Sequence, residues 1–166
     1  MTQRLTVSRA LGALAARFPY ANPDFRLRNR RLIRFAGRFQ PDVIILPGDN
    51  GVILPETLAR LKREHGATLV YGCGTSPVVF SRPVERAAAS LLDLVVANAE
   101  NCAGGSGLTP ANYQELISAG VDCITLGDHI YRRREINSVL ESQPNIVKPA
   151  NFPPTAPGKD FAIVQA

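Results

Sequence analysis

Short apolar runs alternate with helical patterns along the chain from residue 40 onward. The first run, DVIIL at residues 42–46, closes in a Gly-containing turn and precedes LPETLARLKREHG, which carries leucines at helical spacing (Leu54, Leu58 and Leu61). A proline near the start and a glycine at the end bound this predicted helix. The runs ATLVYGCG, LDLVVAN, VDCITLGDH and NIVKPAN repeat the pattern, with predicted helices RPVERAAASL, TPANYQELISAG and REINSVLES between them. The final FAIVQA predicts one more strand.

These runs lack the alternation of apolar and polar residues that is typical of a half-exposed strand, so they indicate parallel strands buried on both faces. The pattern predicts an α/β fold with a mostly parallel sheet of about five or six strands and helices on both faces, in three layers. We expect an Arg-rich helical segment at 1–40, βα units at 41–98 and a third unit at 99–166, joined in one continuous globular domain.

Positive charge is concentrated at the start of the chain. Of 166 residues with a net charge of +5, residues 1–40 contribute nine arginines against one acid, and the remainder has ten Lys or Arg against thirteen acids. Such a segment can meet nucleic acid or a membrane surface. It carries no recognised nucleic-acid module. We therefore favour a helix whose Arg-rich face is solvated, and we expect no membrane partner. The helix is predicted to pack through its apolar residues Leu27, Leu32, Ile33, Phe35 and Phe39.

The sequence gives no indication of export or membrane insertion. No apolar run approaches the roughly 20 residues that cross a bilayer, and the first residues lack the features of a signal peptide. We expect a cytoplasmic location. The three cysteines (Cys73, Cys102 and Cys123) form no CxxC pair, so each is expected to be a small buried side chain rather than a zinc ligand.

Polar side chains directly follow the third and fourth apolar runs. Glu100 and Asn101 follow LDLVVAN, and Asp128 and His129 follow VDCITLG. The carboxyl ends of parallel strands meet at one edge of the sheet, where ligands bind. Two carboxylates, an amide and an imidazole form a mixed oxygen and nitrogen set, which suits iron, manganese or zinc better than magnesium alone.

Each of these residues also has a purely structural interpretation. Glu100 could cap a loop, Asn101 could favour a turn, Asp128 could cap the next helix, and His129 could be an ordinary buried or surface histidine. The glycine-rich stretch 104–107 could bind a phosphate through backbone N–H groups, although it matches neither the Walker pattern nor GxGxxG. The arginines at 132–134 could attract a phosphate, but we favour a solvated helix face as the interpretation of this run.

The motifs AEN, GGSGLT, ITLGDH and KPANFP, within residues 94–166, resemble the N-terminal half of the YmdB-type bacterial metallophosphoesterases. The resemblance implies a dimetal phosphodiesterase. It gives Glu100 the role of bridging two metals, with Asn101 in the same site. It makes Asp128 a metal ligand and His129 the catalytic group that protonates the leaving oxygen or stabilises the transferring phosphoryl group.

This chain lacks part of the family's metal shell. The family's first strand ends in GDxxG, whose Asp is a ligand, whereas the run before LDLVVAN ends in Gly72-Cys73-Gly74, and Asp49 lies one βα unit too early. The family's later histidines have no counterpart here. We expect a metal-dependent phosphodiesterase-like protein for cyclic nucleotides or other phosphodiesters, incomplete or inactive unless a second copy or a partner chain completes it. The end of the chain at FAIVQA suggests a truncated domain.

The patterns RFQPDVI and LPETLARL, within residues 27–98, are similar to the N-terminal Rossmann-like domain of CgeB-type glycosyltransferases. This second resemblance implies an alternative function, in which the chain is a nucleotide- or sugar-binding fragment without catalysis. The two resemblances meet at the strand DLVVAN.

Overall fold

The computed structural model describes residues 23–47, 53–73 and 90–165. The secondary-structure elements of these residues are, in chain order, α1 Pro23–Phe39, β1 Val43–Pro47, α2 Pro55–His65, β2 Thr68–Cys73, β3 Leu94–Asn98, α3 Pro110–Ser118, β4 Cys123–Thr125, a 3-10 turn Arg134–Ile136, α4 Asn137–Ser142 and β5 Ile146–Val147. The predicted helix RPVERAAASL lies almost wholly outside the described residues, as do residues 1–22 of the predicted N-terminal helical segment. No helix within the described ranges is both long and apolar enough to cross a bilayer.

All five strands pair in parallel in the order β1-β2-β3-β4-β5. This sheet, with its helices, confirms the predicted α/β class. The strand predicted at FAIVQA is wrong, because residues 161–165 form no strand. A single bridge between Val147 and Lys159 is the last parallel contact, and Phe161 and Ile163 beyond it are exposed. An apolar run becomes a strand only where a neighbouring strand offers backbone partners.

Burial alternates along β1 and defines the core side of the sheet. Ile44 and Leu46 are buried, whereas Val43 and Ile45 between them are 52% and 71% exposed. The register places further buried residues on the same face of the sheet: Leu69, Val95, Ala97, Ile124 and Ile146.

The core has two clusters of buried side chains that share partly buried neighbours. One surrounds β3, β4, α3 and α4, and the other lies among α1, α2, β1 and β2. Tyr71 and Leu92 pack against both clusters. The apolar interior therefore runs without a break from the first described helix to the last strand.

Aspartates at the amino end of the sheet fix the register of β3 and β4. Asp93, directly before β3, donates its N–H to the Leu69 carbonyl (2.9 Å) and accepts the Leu69 N–H on its carboxylate (2.8 Å). Asp122, directly before β4, forms the same pair of hydrogen bonds with Val95, at 2.9 and 2.8 Å. Each carboxylate thus adds a side-chain hydrogen bond to a backbone pair.

The packing face of α1 differs from the predicted one. Asn29 and Ala36 are buried, and Leu32 packs against the second cluster. Asn29, Leu32 and Ala36 are three and four residues apart, so they lie along one side of the helix. Ile33 is half-buried. The prediction that Leu27, Phe35 and Phe39 pack inward is wrong, because they are 47%, 60% and 60% exposed.

A buried amide from α1 completes the start of α2. Leu54, the residue before α2, has no side chain that could cap the helix, but its N–H donates to Asn29 Oδ1 at 2.9 Å. Asn29 Nδ2 in turn donates to the Phe25 carbonyl at 2.7 Å. Asn29 therefore accepts the N–H of the residue before the helix. In a capping box, a Glu or Gln from the helix's own first turn accepts that N–H instead.

We expect Asn29→Ala to lower the free energy of unfolding by about 1–3 kcal/mol, because the Leu54 N–H is left buried without its partner. Urea denaturation monitored by circular dichroism measures this loss. Asn151→Ala, at an exposed loop position, is the control and should change stability little. Equal stability of the two variants would contradict the capping role of Asn29.

The Asp93 carboxylate makes stability depend on pH. The Leu69 N–H and then the Lys62 ammonium, 2.6 Å away, hold the pKa of Asp93 below its usual value. A lowered folded-state pKa stabilises the fold above the unfolded pKa of about 4, and this stabilisation is lost as pH falls through the folded-state pKa.

Asp93→Asn should therefore flatten the fall in stability between about pH 5 and pH 2, since it removes one carboxylate that favours the fold when ionised. Urea denaturation at a series of pH values tests this, with Asp160→Asn as the exposed control. A parent and an Asp93→Asn variant with parallel pH profiles would show that the ionised carboxylate contributes nothing.

Candidate metal site

The carboxyl ends of β3 and β4 bring the predicted site residues together. Asn98 pairs with Thr125 at the end of the ladder, and the Ala99 N–H extends it by donating to the Thr125 carbonyl at 3.0 Å. The chain then leaves β3 at Glu100 and leaves β4 through Gly127. Their side chains thus meet at one edge of the sheet, as the sequence predicts.

The loop after β3 is closed on itself by backbone hydrogen bonds. The N–H groups of Ala103, Gly104 and Gly105 donate to carbonyls within residues 101–107, and the Gly107 N–H donates to the Glu100 carbonyl. Gly104, Gly105 and Gly107 have positive φ angles, which glycine adopts without strain. The hypothesis that this stretch binds a phosphate through free N–H groups is therefore wrong, since these donors are used inside the loop.

The Glu100 carboxylate lies directly over Gly127. A Cβ atom built on Gly127 would lie 1.2 Å from Glu100 Oε2, so any side chain at this position would displace the carboxylate. Gly127 is not among the residues predicted for the site. A signal was present, because a glycine directly before the Asp128–His129 pair leaves room for the neighbouring strand's carboxylate.

Asn101 connects Glu100 to His129. Its Nδ2 donates to Glu100 Oε1 at 3.1 Å, which turns its Oδ1 toward His129 Nδ1 at 2.8 Å. An amide oxygen can only accept a hydrogen bond, so this network assigns the proton of neutral His129 to Nδ1 and leaves Nε2 with a free lone pair.

Asp128 lies on the solvent side of the cluster. Its side chain is 82% exposed, and Oδ2 lies 3.6 Å from His129 Nε2. Glu100 and His129 are more deeply placed, and His129 Nδ1 lies 3.9 Å from Glu100 Oε1. Asp128 does not cap a helix, because Arg133 precedes the 3-10 turn and Ile136 precedes α4. The capping interpretation of Asp128 is thus wrong.

Two side chains fix the segment after β5 beside the site loops. The buried Lys148 ammonium donates to the carbonyls of Pro153 (3.0 Å) and Ala156 (2.9 Å). The Tyr131 hydroxyl donates to the Pro157 carbonyl at 2.7 Å. The KPANFP motif therefore serves to close a loop around a buried ammonium, which satisfies its charge with backbone dipoles.

The three consecutive arginines after the site differ in their contacts. Arg133 Nη2 donates to the Ala103 carbonyl at 3.3 Å and so joins the two site loops. Arg132 and Arg134 are exposed. The run is thus partly a structural contact and partly a basic surface next to the cluster.

The donor set fits a divalent cation. One ligating atom from each of Glu100, Asp128 and His129 lies within 4.8 Å of the others. Iron, manganese and zinc accept carboxylate oxygens as ligands, and the imidazole lies close enough either to join them or to act on a molecule bound to the ion. The Asn101 amide oxygen faces His129 in this arrangement, so Asn101 orients its neighbours. Asp49, the acidic candidate one βα unit earlier in the sequence, lies outside the described residues.

Cys102 and Cys123, the two cysteines whose side chains the structure describes, take no part in this cluster. Burial, and secondarily the charge of Glu115, raises the pKa of Cys102, while burial and then Asp122 raise the pKa of Cys123. A thiol with a raised pKa is a weak nucleophile. Cys123 is buried, as predicted, and Cys102 is half-buried; the side chain of Cys73 lies outside the described residues.

The parallel sheet and the acidic–histidine cluster at its carboxyl edge define a class of α/β protein with a candidate site for a divalent metal. The family model described as "YmdB-like protein" matches residues 79–166, more than half of the chain. The chain therefore belongs to the YmdB-like family. The match begins at residue 79, which is 15 residues before Leu94, the first residue of the stretch predicted to resemble this family. The glycosyltransferase resemblance over residues 27–98 stays a prediction.

Individual relatives match over parts of their length. A 2',3'-cyclic-nucleotide 2'-phosphodiesterase from Bacillus subtilis is 45% identical over 71 residues, which are 43% of this chain and 27% of that protein. A hypothetical protein from Thermus thermophilus, whose crystal structure is solved, is 35% identical with a TM-score of 0.49 and covers 58% of this chain and 39% of that chain. A phosphatase from Mycoplasma pneumoniae, whose crystal structure is also solved, is 28% identical with a TM-score of 0.37. That match covers 72% of this chain and 34% of that chain. The chain spans 22–30% of the length of the curated relatives it matches.

Gly127→Ala should abolish divalent-metal binding while the fold is retained, because the new methyl group would occupy the position of the Glu100 carboxylate. Isothermal titration with Mn²⁺ measures binding, and circular dichroism reports the fold. Gly37→Ala is the matched control, since a Cβ there meets no atom within 4 Å. Unchanged Mn²⁺ affinity in Gly127→Ala would exclude Glu100 as a ligand in this position.

Proposed function

We propose that this chain carries the metal-binding portion of a metal-dependent phosphodiesterase. The observation that carries the proposal is the convergence of Glu100, Asp128 and His129 at the ends of β3 and β4. Membership of the YmdB-like family supports it, as does the relative named a 2',3'-cyclic-nucleotide 2'-phosphodiesterase. The proposed substrate is a phosphodiester or nucleotide small molecule.

Glu100 and Asp128 are the proposed ligands, with Asn101 completing the polar set. A bound divalent ion, iron or manganese in preference to zinc, supplies a Lewis acid that stabilises charge on phosphoryl oxygens. Glu100 is the better-positioned ligand because Asn101 holds one of its oxygens and Gly127 leaves space for the other. Asp128, which is mostly exposed, can turn toward an ion without breaking a core contact.

His129 is proposed to act on the substrate through Nε2. With Nδ1 donating to Asn101, the neutral ring offers Nε2 as a base, and the protonated ring offers an N–H from the same atom. That N–H can stabilise a phosphoryl oxygen or protonate the leaving oxygen. Asn101 keeps the ring in one orientation for both roles.

The described cluster supplies one compact set of ligands, whereas a dimetal phosphodiesterase holds both the attacking and the leaving oxygens between two ions. We therefore propose that full activity needs further ligands from a second copy of the chain or from a partner chain. Hydrolysis by this chain alone is expected to be slow.

Metal content separates the roles of the site residues. Glu100→Ala should lose bound Mn²⁺ or Fe²⁺, because a fixed ligand is removed, whereas His129→Ala should keep the metal. Inductively coupled plasma mass spectrometry after gel filtration measures both, with the exposed Glu141→Ala as the control. Loss of metal in His129→Ala would make His129 a ligand instead, and equal metal in Glu100→Ala and the parent would remove the proposed site.

Hydrolysis tests the catalytic role. The parent with added Mn²⁺ should cleave bis(p-nitrophenyl) phosphate, and His129→Ala should reduce turnover by about 100-fold or more, which is the typical contribution of a general acid or base. Turnover that is unchanged in His129→Ala would contradict the role of this histidine. A parent that binds metal and shows no hydrolysis would limit the proposal to metal binding.

A further inference from the structure

Helix α1 presents aromatic rings and arginines together on its solvent side. We call this set the α1 surface; it comprises Leu27, Arg31, Arg34, Phe35, Arg38 and Phe39. All six residues are exposed. Phe35 and Phe39 are each 60% exposed, although exposing large apolar rings to water costs free energy. The exposure leaves both rings available to a partner.

The two rings form a platform. Phe35 and Phe39 are one helical turn apart, and their rings stack with centroids 4.2 Å apart and an interplanar angle of 26°. Arg31 precedes Phe35 by one turn, so its guanidinium shares this side of the helix. The stacked pair already restricts ring motion, which lowers the entropy cost of placing another flat group against it.

A basic groove lies between α1 and α2, on the flank of α1 turned away from the two rings. It has a volume of about 420 Å³ and is lined by residues of α1 and α2: Arg30, Ile33, Arg34, Gly37, Arg60, Glu64 and His65. Arg60 is paired with Glu64 at 2.7 Å, so the two remaining guanidinium groups give the groove a positive charge. Arg34 belongs to both the groove and the α1 surface and makes them continuous.

The groove and the candidate metal site lie toward opposite ends of the strands. The C-terminal half of α2 leads directly into the start of β2, so the groove lies toward the amino ends of the strands. The cluster around Glu100 lies beyond their carboxyl ends. A ligand on α1 therefore uses residues that the proposed phosphodiesterase chemistry does not use.

The charge pattern indicates a polyanion. Helix α1 carries six arginines and one aspartate, while residues 41–166 have more acids than bases. Arginine guanidinium groups pair with phosphates and stack on flat rings, and exposed aromatic rings stack on nucleobases. We propose that the α1 surface and its groove bind single-stranded nucleic acid, with phosphates on the arginines and bases on Phe35 and Phe39.

A membrane fits the same helix less well. A helix that lies in a bilayer interface separates an apolar face from a charged one. On α1, Arg31 and Arg38 lie between Leu27 and Phe35 around the exposed side, so no continuous apolar face is available. The mixture of rings and guanidinium groups is instead the combination that non-specific single-strand binding uses.

Fluorescence anisotropy with a labelled oligouridylate RNA of about a dozen nucleotides tests the proposal, since such sites span about 4–16 nucleotides. EDTA in the buffer removes any contribution of the metal site. The Phe35→Ala/Phe39→Ala variant should bind about tenfold more weakly or worse, because base stacking is lost. Its unfolding midpoint should stay close to that of the parent, since both rings are exposed.

Arg34→Gln/Arg38→Gln should reduce the slope of log affinity against log salt by about 1.4, or about 0.7 for each lost phosphate contact. Arg134→Gln/Lys159→Gln removes the same charge from exposed positions outside α1 and α2 and should leave the slope unchanged. Equal affinity of the parent and the phenylalanine variant, or equal effects of the two charge variants, would overturn the proposal. So would binding to phosphatidylcholine–phosphatidylglycerol vesicles without RNA binding, which would make α1 a lipid-binding helix.

Discussion

The parallel pairing of β3 with β4 is the constraint on which the candidate site depends. A shift of one residue in this register would turn the residues that follow one strand to the other face of the sheet. Glu100 would then no longer lie over Gly127. The register is held at both ends, by Asp122 on the Val95 N–H and by the Ala99 N–H on the Thr125 carbonyl. Such a short ladder needs these additional bonds.

The site also shows how a glycine can determine the position of a carboxylate. Glu100 has no Lys or Arg ion pair within the described residues. The Asn101 amide donates a hydrogen bond to one of its oxygens, and the other oxygen occupies the space that the missing side chain of Gly127 leaves. A carboxylate that is oriented without a cation partner keeps its charge available. This arrangement favours a ligand that brings positive charge to the site.

The parts of the fold that follow from local patterns could be predicted from the sequence. Helix α3, for example, begins as expected, with the Thr109 side chain accepting the Asn112 N–H and Pro110 in the first turn. The site residues could be placed because strand ends in a parallel sheet share an edge. The packing face of α1 could not, because Asn29 is buried through a partner 25 residues away, on Leu54. The strand predicted at FAIVQA was wrong for the same reason, because strand pairing depends on residues that are distant in the sequence.

The sheet continues across the beginning of the region that matches the family. Strand β2 ends at Cys73, before residue 79, and pairs with β3, which lies inside the matched region. A fragment cut at residue 79 would expose the backbone N–H and C=O groups on one side of β3 as an open edge. It would also uncover apolar side chains that Tyr71 covers. Open edges next to apolar surface recruit strands from other molecules. The residues before 79 therefore protect the family-matched region against edge-to-edge aggregation, whatever else they bind.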